Sequence, residues 1–342
     1  MRRARRAAAG LALGLVLSVS AAAAPYLEAI GFDAIEGWDG ADHAKALEVF
    51  RGTCGDLDAD VWGPVCAMAR TGPSPRSFFE LFFQPIRVGG AGQALYTGYY
   101  EPEYRAARER DAPYRYPVHA TPEALERGEP WRTRAEIAES EDLEDRVIAW
   151  LRDPVDHYFL QMQGSGRLRF EDGEVLRLGY DARNGHPFRP VPAEIVRRGI
   201  YEPHEVSEPV IRNWVRRNPD EGQEILLDDP SYVFFRVLED EPAGNGPRGA
   251  LNRPLTPEYS LAVDPALVPL GAPVWVATDA PVPLLRLMVA QDTGGAIKGP
   301  GRGDIFFGTG REAGRRAGNM RHNGDMVMLL PIDRAYVMLD GG

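Results

Sequence analysis

VAQDTGGAIKGPGRGDIFFGTG, residues Val289 to Gly310, holds two aspartates, Asp292 and Asp304, twelve positions apart with a glycine-rich stretch between them. A strand-like run, LLRLMVAQ, delivers Asp292 at its end, and a second short run, IFFG, follows Asp304. That order places the two carboxylates face to face across one loop. Gly294, Gly295, Gly299, Gly301 and Gly303 let the backbone there approach a ligand closely. Two other readings of the spacing stand beside this one. The acids can cap turns in a solvated loop, or the glycines can hold a phosphate. GGAIKGPGRGD, however, is neither of the standard glycine phosphate fingerprints.

The rest of the C-terminal third has the same texture. YSLAVDP, APVWVATD, LLRLMVAQD and DMVMLLPI are short apolar strands separated by Pro, Gly and Asp. They predict a small barrel rather than alternating β-α units. EDEPAGNGPRGA marks a boundary before it. Residues 105–245 are mixed. TPEALERG (Thr121 as cap, Pro122 in the first turn), VPAEIVRRG and EPVIRNWVRRN predict short helices. DRVIAWL, HYFLQMQGSGRLRFEDGEVLRLGYDA and SYVFFRVL read as strand-like, with a hairpin at Asp172-Gly173. Residues 25–95 begin helical, in DHAKALEVFRG and in PRSFFELFFQPIRV, whose stripe breaks at Pro85. They then turn aromatic and turn-rich in ALYTGYYEPEYRAA.

The chain has 342 residues, enough for two domains, with 44% hydrophobic and 26% charged residues. Its 37 glycines and 29 prolines favour a mainly β fold with short helices and many turns. The first 24 residues, MRRARRAAAGLALGLVLSVSAAAA, have the basic head, apolar middle and small-residue end of a secretory signal peptide cut near Ala24. No cysteine follows the apolar run, so no lipid anchor is visible there. Removing the leader takes away Arg2, Arg3, Arg5 and Arg6, and the net charge of −11 becomes −15. So acidic a protein is a poor binder of nucleic acid or anionic membrane. Cys54 and Cys66 are the only cysteines. In an exported protein an even pair favours one disulfide, with two buried free thiols as the alternative. No histidine lies near either, and the six histidines show no paired spacing, so neither a metal nor another cofactor is expected.

The Asp292–Asp304 stretch, with Asp264 in LAVDPALVPLG, resembles the lytic murein transglycosylase A family and its C-terminal module named for three aspartates. YTGYYEPEY (Tyr96–Tyr104), YFLQMQGSGRLRFEDG (Tyr158–Gly173), LGYDARNGHPF (Leu178–Phe188) and NRPLTPEYSLAVDP (Asn252–Pro265) are similar to that family too, in the same order. The resemblance implies a double-psi β-barrel built from residues 25–100 and 246–342. A second β-barrel domain, residues 101–245, is inserted into it, with a groove between the two. It also implies cleavage of the MurNAc–GlcNAc β-1,4 bond of peptidoglycan without water, leaving a 1,6-anhydro sugar. One carboxyl then suffices, first as acid and then as base, because the sugar's own 6-hydroxyl attacks.

Carried onto this sequence, the resemblance makes Asp304 the acid/base and Asp292 its supporting acid; Asp264, in VDPALVPLG with its turn stiffened by Pro265 and Pro269, reads as structural ahead of catalytic. The apolar Ile305, Phe306 and Phe307 beside Asp304 favour a raised pKa, which Lys298 and Arg302 oppose if they touch it. Tyr99, Tyr100 and Tyr180 are candidate stacking surfaces for sugar rings or, equally, packing residues. Gln161, Gln163 and Ser165 are candidate hydrogen-bonding groups for hydroxyl and acetamido substituents. Glu101, amid aromatics, is the rival acid; Asn184 and His186 are weaker candidates. Lys298 to Arg321 carries a local charge of +4 that suits the peptide carboxylates of murein, or else is a solvated helix. The expected partner is the peptidoglycan glycan strand, bound by a periplasmic monomer, associated or not with the outer membrane, the wall or a cell-wall synthesis or division complex. Two competing functions are a non-catalytic wall-binding barrel and a hydrolytic muramidase with Glu101 as second acid.

Overall fold

The computed structural model describes residues 27–340 apart from 91, 240, 241 and 243. The leader expected over residues 1–24 lies outside them. The first strands are β1 (Leu27–Ala29), β2 (Phe83–Val88), β3 (Ala94–Glu101), β4 (Glu103–Ala107) and β5 (Tyr116–His119). Then come β6 (Val147–Leu151), β7 (Gly166–Arg169), β8 (Val175–Arg183) and β9 (Val233–Val237). The C-terminal third supplies β10 (Ser260–Val263), β11 (Pro273–Thr278), β12 (Leu285–Thr293), β13 (Arg302–Thr309) and β14 (Arg321–Pro331).

Six of these close on themselves in the order β14-β11-β12-β10-β13-β3, with β3 pairing back onto β14; β2 and β1 extend the sheet beyond β14. Closure removes the free edges that an open sheet of short apolar strands would present to solvent. Two of the pairings in the ring, β10–β12 and β13–β3, are parallel and the other four antiparallel. β10 and β11 are buried along almost their whole length because the barrel interior covers one face and packed elements the other. Trp275, Tyr96, Ile305 and Met328 fill this layer with almost no exposure. Outside it the helix His43–Thr53 lies against β12, and Phe50, Phe78, Phe79 and Phe83 pack edge to face. The remaining strands form a second sheet, β5-β6-β4-β7-β8-β9, whose two edges meet at an Ala120–Phe235 bridge.

Several elements differ from the sequence reading. HYFLQMQ is not a strand but the end of the helix Pro154–Gln163. Asp153 caps it by accepting from Val155 N at 2.9 Å, Pro154 opens its first turn, and Gly164 (φ 73°) ends it in the left-handed region. TPEALERG is not helical but two successive turns. Thr121 Oγ1 and Arg127 are both tied to Asp181 of β8, which holds the segment against the sheet. PRSFFELFF ends as a helix at Phe82, and Pro85 lies inside β2, where it faces Leu329 of β14. The hairpin at Asp172-Gly173 is present: β7 and β8 are antiparallel and Gly173 has φ 90°.

Cys54 and Cys66 are joined as a disulfide that ties the end of the helix His43–Thr53 to the helix Ala59–Arg70. Closing a loop of this length restricts the unfolded chain by about 3 kcal/mol. The Cys54→Ser/Cys66→Ser double variant is expected to unfold in urea with a free energy lower by about that amount. An unchanged value would mean that the crosslink contributes nothing to the closure of these two helices.

Candidate active site

Strand register sets the site. Asp304, third in β13, pairs with Ala262 of β10 on one side and Thr97 of β3 on the other, and Ala262 pairs in turn with Asp292 of β12. The row Asp292–Ala262–Asp304–Thr97 thus crosses four neighbouring strands. Two strand spacings, about 10 Å, separate the backbones that carry the carboxylates, with one methyl group between them. β10 bulges between Leu261 and Ala262, at the centre of this row, a place where bulges commonly re-aim side chains.

The two acids are held differently. Asp304 Oδ1 accepts from Thr97 Oγ1 at 2.7 Å. Asp292 accepts from Tyr99 Oη (2.8 Å) on one oxygen and from the amides of Ala250 (3.0 Å) and Thr293 (2.9 Å) on the other. Burial pushes the Asp304 carboxyl up to about 6. The Thr97 hydrogen bond and the Arg302 charge pull against that, and the Asp292 charge adds to it. Burial also raises Asp292, but its three donors all favour the charged form. Burial keeps the Tyr99 phenol protonated, well above its usual range, so that it donates to Asp292. The ring of Tyr99 also packs on Phe306, 5.3 Å between centroids.

The cations of the loop do not neutralise Asp304 by contact. Lys298 Nζ lies 3.5 Å from Asp264 Oδ1, and Arg302 donates to the carbonyl of Leu95 at 2.8 Å. Among the described residues no ion pair reaches Asp304. Asp264 also accepts from Gly299 N (2.9 Å) and Ala266 N (3.3 Å), with Gly299 at φ 93°. These bonds hold Asp264 below the usual carboxylate range, the Gly299 amide most of all. The glycine-rich stretch is therefore pinned at its middle.

Both acids open onto a groove of about 940 Å³ between the barrel and the second sheet. Thr97, Tyr99, Lys298 and Arg302 line it beside them, and Gln161, Gln163, Ser165 and Tyr180 line the opposite wall.

Residues 95–236 match the family model of the MltA specific insert domain, and residues 259–330 match that of the 3D domain. The membrane-bound lytic murein transglycosylase A of Escherichia coli (strain K12) is 32% identical over 308 residues, 84% of this chain and 81% of its own length. The chain belongs to the lytic murein transglycosylase A family. Its counterpart in Vibrio cholerae is 30% identical over 73% of this chain and 70% of its own. Among solved structures, a membrane-bound lytic murein transglycosylase from Agrobacterium tumefaciens superposes with a TM-score of 0.82 at 31% identity, over 91% of this chain and 99% of that one. E. coli MltA with bound chitohexaose gives 0.70 at 30% identity, over 89% and 92%.

Within this family fold, not every candidate reaches the groove. Strand alternation sends Tyr100 to the face of β3 opposite Thr97 and Tyr99. Its hydroxyl donates to Glu208 at 3.3 Å, and its ring lies against Gly314 of the helix Gly310–Gly318. Tyr100 thus packs rather than presenting a face to a ligand. Glu101 is fully buried: it accepts from Arg167 Nε (2.8 Å), Thr309 Oγ1 (2.7 Å) and Arg177 Nη2 (3.5 Å). Sealed in this way it cannot exchange a proton with a substrate, which removes the rival acid.

Tyr180, by contrast, is 47% exposed on the groove wall. Gln161 is mostly committed within the protein, to His157 and to the amide of Val233, and Gln163 accepts from Tyr100 N. Asn184 is buried and bonded to the backbone of Arg132, Pro230 and Tyr232, and His186 to the carbonyl of Trp131. The basic helix is also turned away: Arg315 pairs with Glu312, Arg316 with Glu258, and neither lines the groove. Sequence reasoning passed over Thr97 and the Ala250 amide. Thr97 was accessible from period-two alternation with Tyr99, whereas the Ala250 contact spans 42 positions and has no local signal.

Proposed function

We propose that this peptidoglycan lytic transglycosylase uses Asp304 as its single acid/base on the MurNAc–GlcNAc β-1,4 bond. The carboxylic acid gives its proton to the glycosidic oxygen as the bond to C1 breaks. The MurNAc 6-hydroxyl oxygen then closes on C1, and the Asp304 carboxylate takes the hydroxyl proton. The products are a 1,6-anhydro end and a free GlcNAc 4-hydroxyl, with Asp304 protonated again and no water consumed. The observation that carries this reading is the contrast between two acids in one row. Asp304, with one donor and a raised pKa, is suited to proton transfer near neutrality. Asp292, with three donors, is suited to remain charged, to fix Tyr99 and the Ala250 segment, and to favour the positive charge that develops at C1.

Hydrolysis would need a second carboxylate free to activate water. The two on the far wall are committed, Asp181 to Thr121 and Arg127, Asp229 to Arg134 and to the amides of Arg189 and Ser231. Tyr180 offers an exposed ring for sugar stacking, and Asp264 anchors the loop that carries Lys298. We assign residues 25–100 and 246–342 to the catalytic barrel and 101–245 to the wall that holds the glycan. The periplasm is the compartment that suits this substrate. Mass spectrometry of the fragments released from purified murein is expected to show anhydro ends. Reducing ends, heavier by one water, would replace the reading with a muramidase, and binding without release would leave a wall-binding barrel.

A further inference from the structure

Of the arginines that line the groove, Arg134 pairs with Asp229, Arg248 donates to the carbonyl of Asn252, and half-buried Arg302 donates to the carbonyl of Leu95 and to Thr97 Oγ1. Arg183 and Arg236, which are exposed and line the groove, make no ion pair among the described residues. Arg183 donates to the carbonyl of His186 at 2.6 Å and Arg236 to Asn252 Oδ1 at 3.2 Å. Each guanidinium, with five N–H donors, thus spends one of them on a neutral acceptor.

Their placement is ordered. Arg183 ends β8 beside Val233, and Arg236 lies three residues further along β9, beside Gly179. Strand rise puts about 10 Å between the two, with exposed Tyr180 on the strand between them. Arg183 also reaches toward the barrel: its Nη1 is 3.7 Å from where a Cβ on Gly295 would stand, three residues after Asp292. A groove built for neutral sugars alone has no use for two unpaired cations flanking an aromatic ring.

We infer that Arg183 and Arg236 bind the carboxylates of the peptide stems carried by MurNAc, so that the enzyme selects peptide-bearing glycan. The inference rests on the glycan-cleaving reading above. Arg183, whose Nη1 comes close to Gly295 in the stretch that follows Asp292, would take the stem of the MurNAc being cleaved, and Arg236 the next part of that stem or its neighbour. Arginine suits this ligand because its planar fork pairs with carboxylate bidentately. The basic residues of the helix Gly310–Gly318, which the sequence offered for the same ligand, stand outside the groove.

The test uses three forms of one glycan: peptide-bearing strands, the same strands with stem carboxylates converted to amides, and strands stripped of peptide by an amidase, which keep only the lactyl carboxylate. Binding is measured with Asp304→Asn protein, so that the readout needs no turnover, and kcat/KM with the parent. Peptide-bearing strands are expected to bind about tenfold more tightly than the amidated ones, at the level of two partly exposed charge pairs. The preference should shrink with added salt, and R183Q/R236Q should bring the ratio close to one. Equal binding of amidated and native strands would overturn the inference. So would equal binding of stripped and peptide-bearing strands, which would make the lactyl carboxylate the ligand. A preference that persists in R183Q/R236Q would overturn the assignment to these two arginines. Failure of the parent to release anhydro ends from any form would instead strike the transglycosylase reading, while the binding ratios would still decide this one.

Discussion

Asp304→Asn protein is expected to release anhydro-muropeptides at least about a thousandfold more slowly than the parent, while keeping its affinity for murein. The amide fills the same space and still accepts from Thr97, so the barrel has no reason to change. What it lacks is a proton to give and a base to regenerate. The parent's pH dependence follows from the same carboxyl. With its pKa raised to about 6, Asp304 is protonated and competent as the acid below that pH. Above it, the protonated fraction falls tenfold per unit, so kcat/KM should decline along a limb centred near pH 6. Thr97→Val tests the cause. The Thr97 hydroxyl favours the charged form, so its loss raises the pKa further and moves the limb to higher pH. A limb unmoved in Thr97→Val, or activity surviving in Asp304→Asn, would remove Asp304 from the chemistry.

Much of this site was legible because it is built from local pattern. Asp292 and Asp304 end and begin strands on either side of a glycine run, and alternation within each strand can be read residue by residue. What was not legible depended on register between distant strands. Nothing near Ala262 announces that it aligns Asp292 with Asp304, or that Thr97, 207 positions away, donates to Asp304. Tyr100 as a stacking surface and Glu101 as an acid failed for a different reason. Both lie in an aromatic motif next to residues that do face the groove, but alternation turns Tyr100 away and the end of β3 buries Glu101. The helix Pro154–Gln163 was a different kind of miss. Its start and stop signals, Asp153-Pro154 and Gly164, were present, but the β-favouring HYF run outweighed them. Charge was misleading in one place. The helix Gly310–Gly318 draws attention by composition, whereas Arg183 and Arg236 stand out only once the partners of the other arginines are known.

Glu101→Ala is expected to destabilise the folded protein by about 3–5 kcal/mol, the cost of leaving buried cations without their counter-charge. Glu101 is the last residue of β3 in the barrel, while Arg167 and Arg177 belong to β7 and β8 in the second sheet. One fully buried carboxylate therefore joins the two sheets at the closed end of their shared strand connection. The guanidiniums have other acceptors: Arg167 donates to the carbonyl of Asn245, and Arg177 to those of Pro242, Asn245 and Gly246. These carbonyls satisfy N–H groups but do not supply a negative charge. Glu101→Gln keeps the shape and one acceptor oxygen, so it should lose less stability than Glu101→Ala in urea unfolding and should retain activity wherever it is folded. A catalytic acid would behave in the opposite way, with Glu101→Gln stable and inactive. Measuring unfolding and product release on both variants thus separates a clasp between two sheets from a proton donor, and the burial and partners of Glu101 commit it to the clasp.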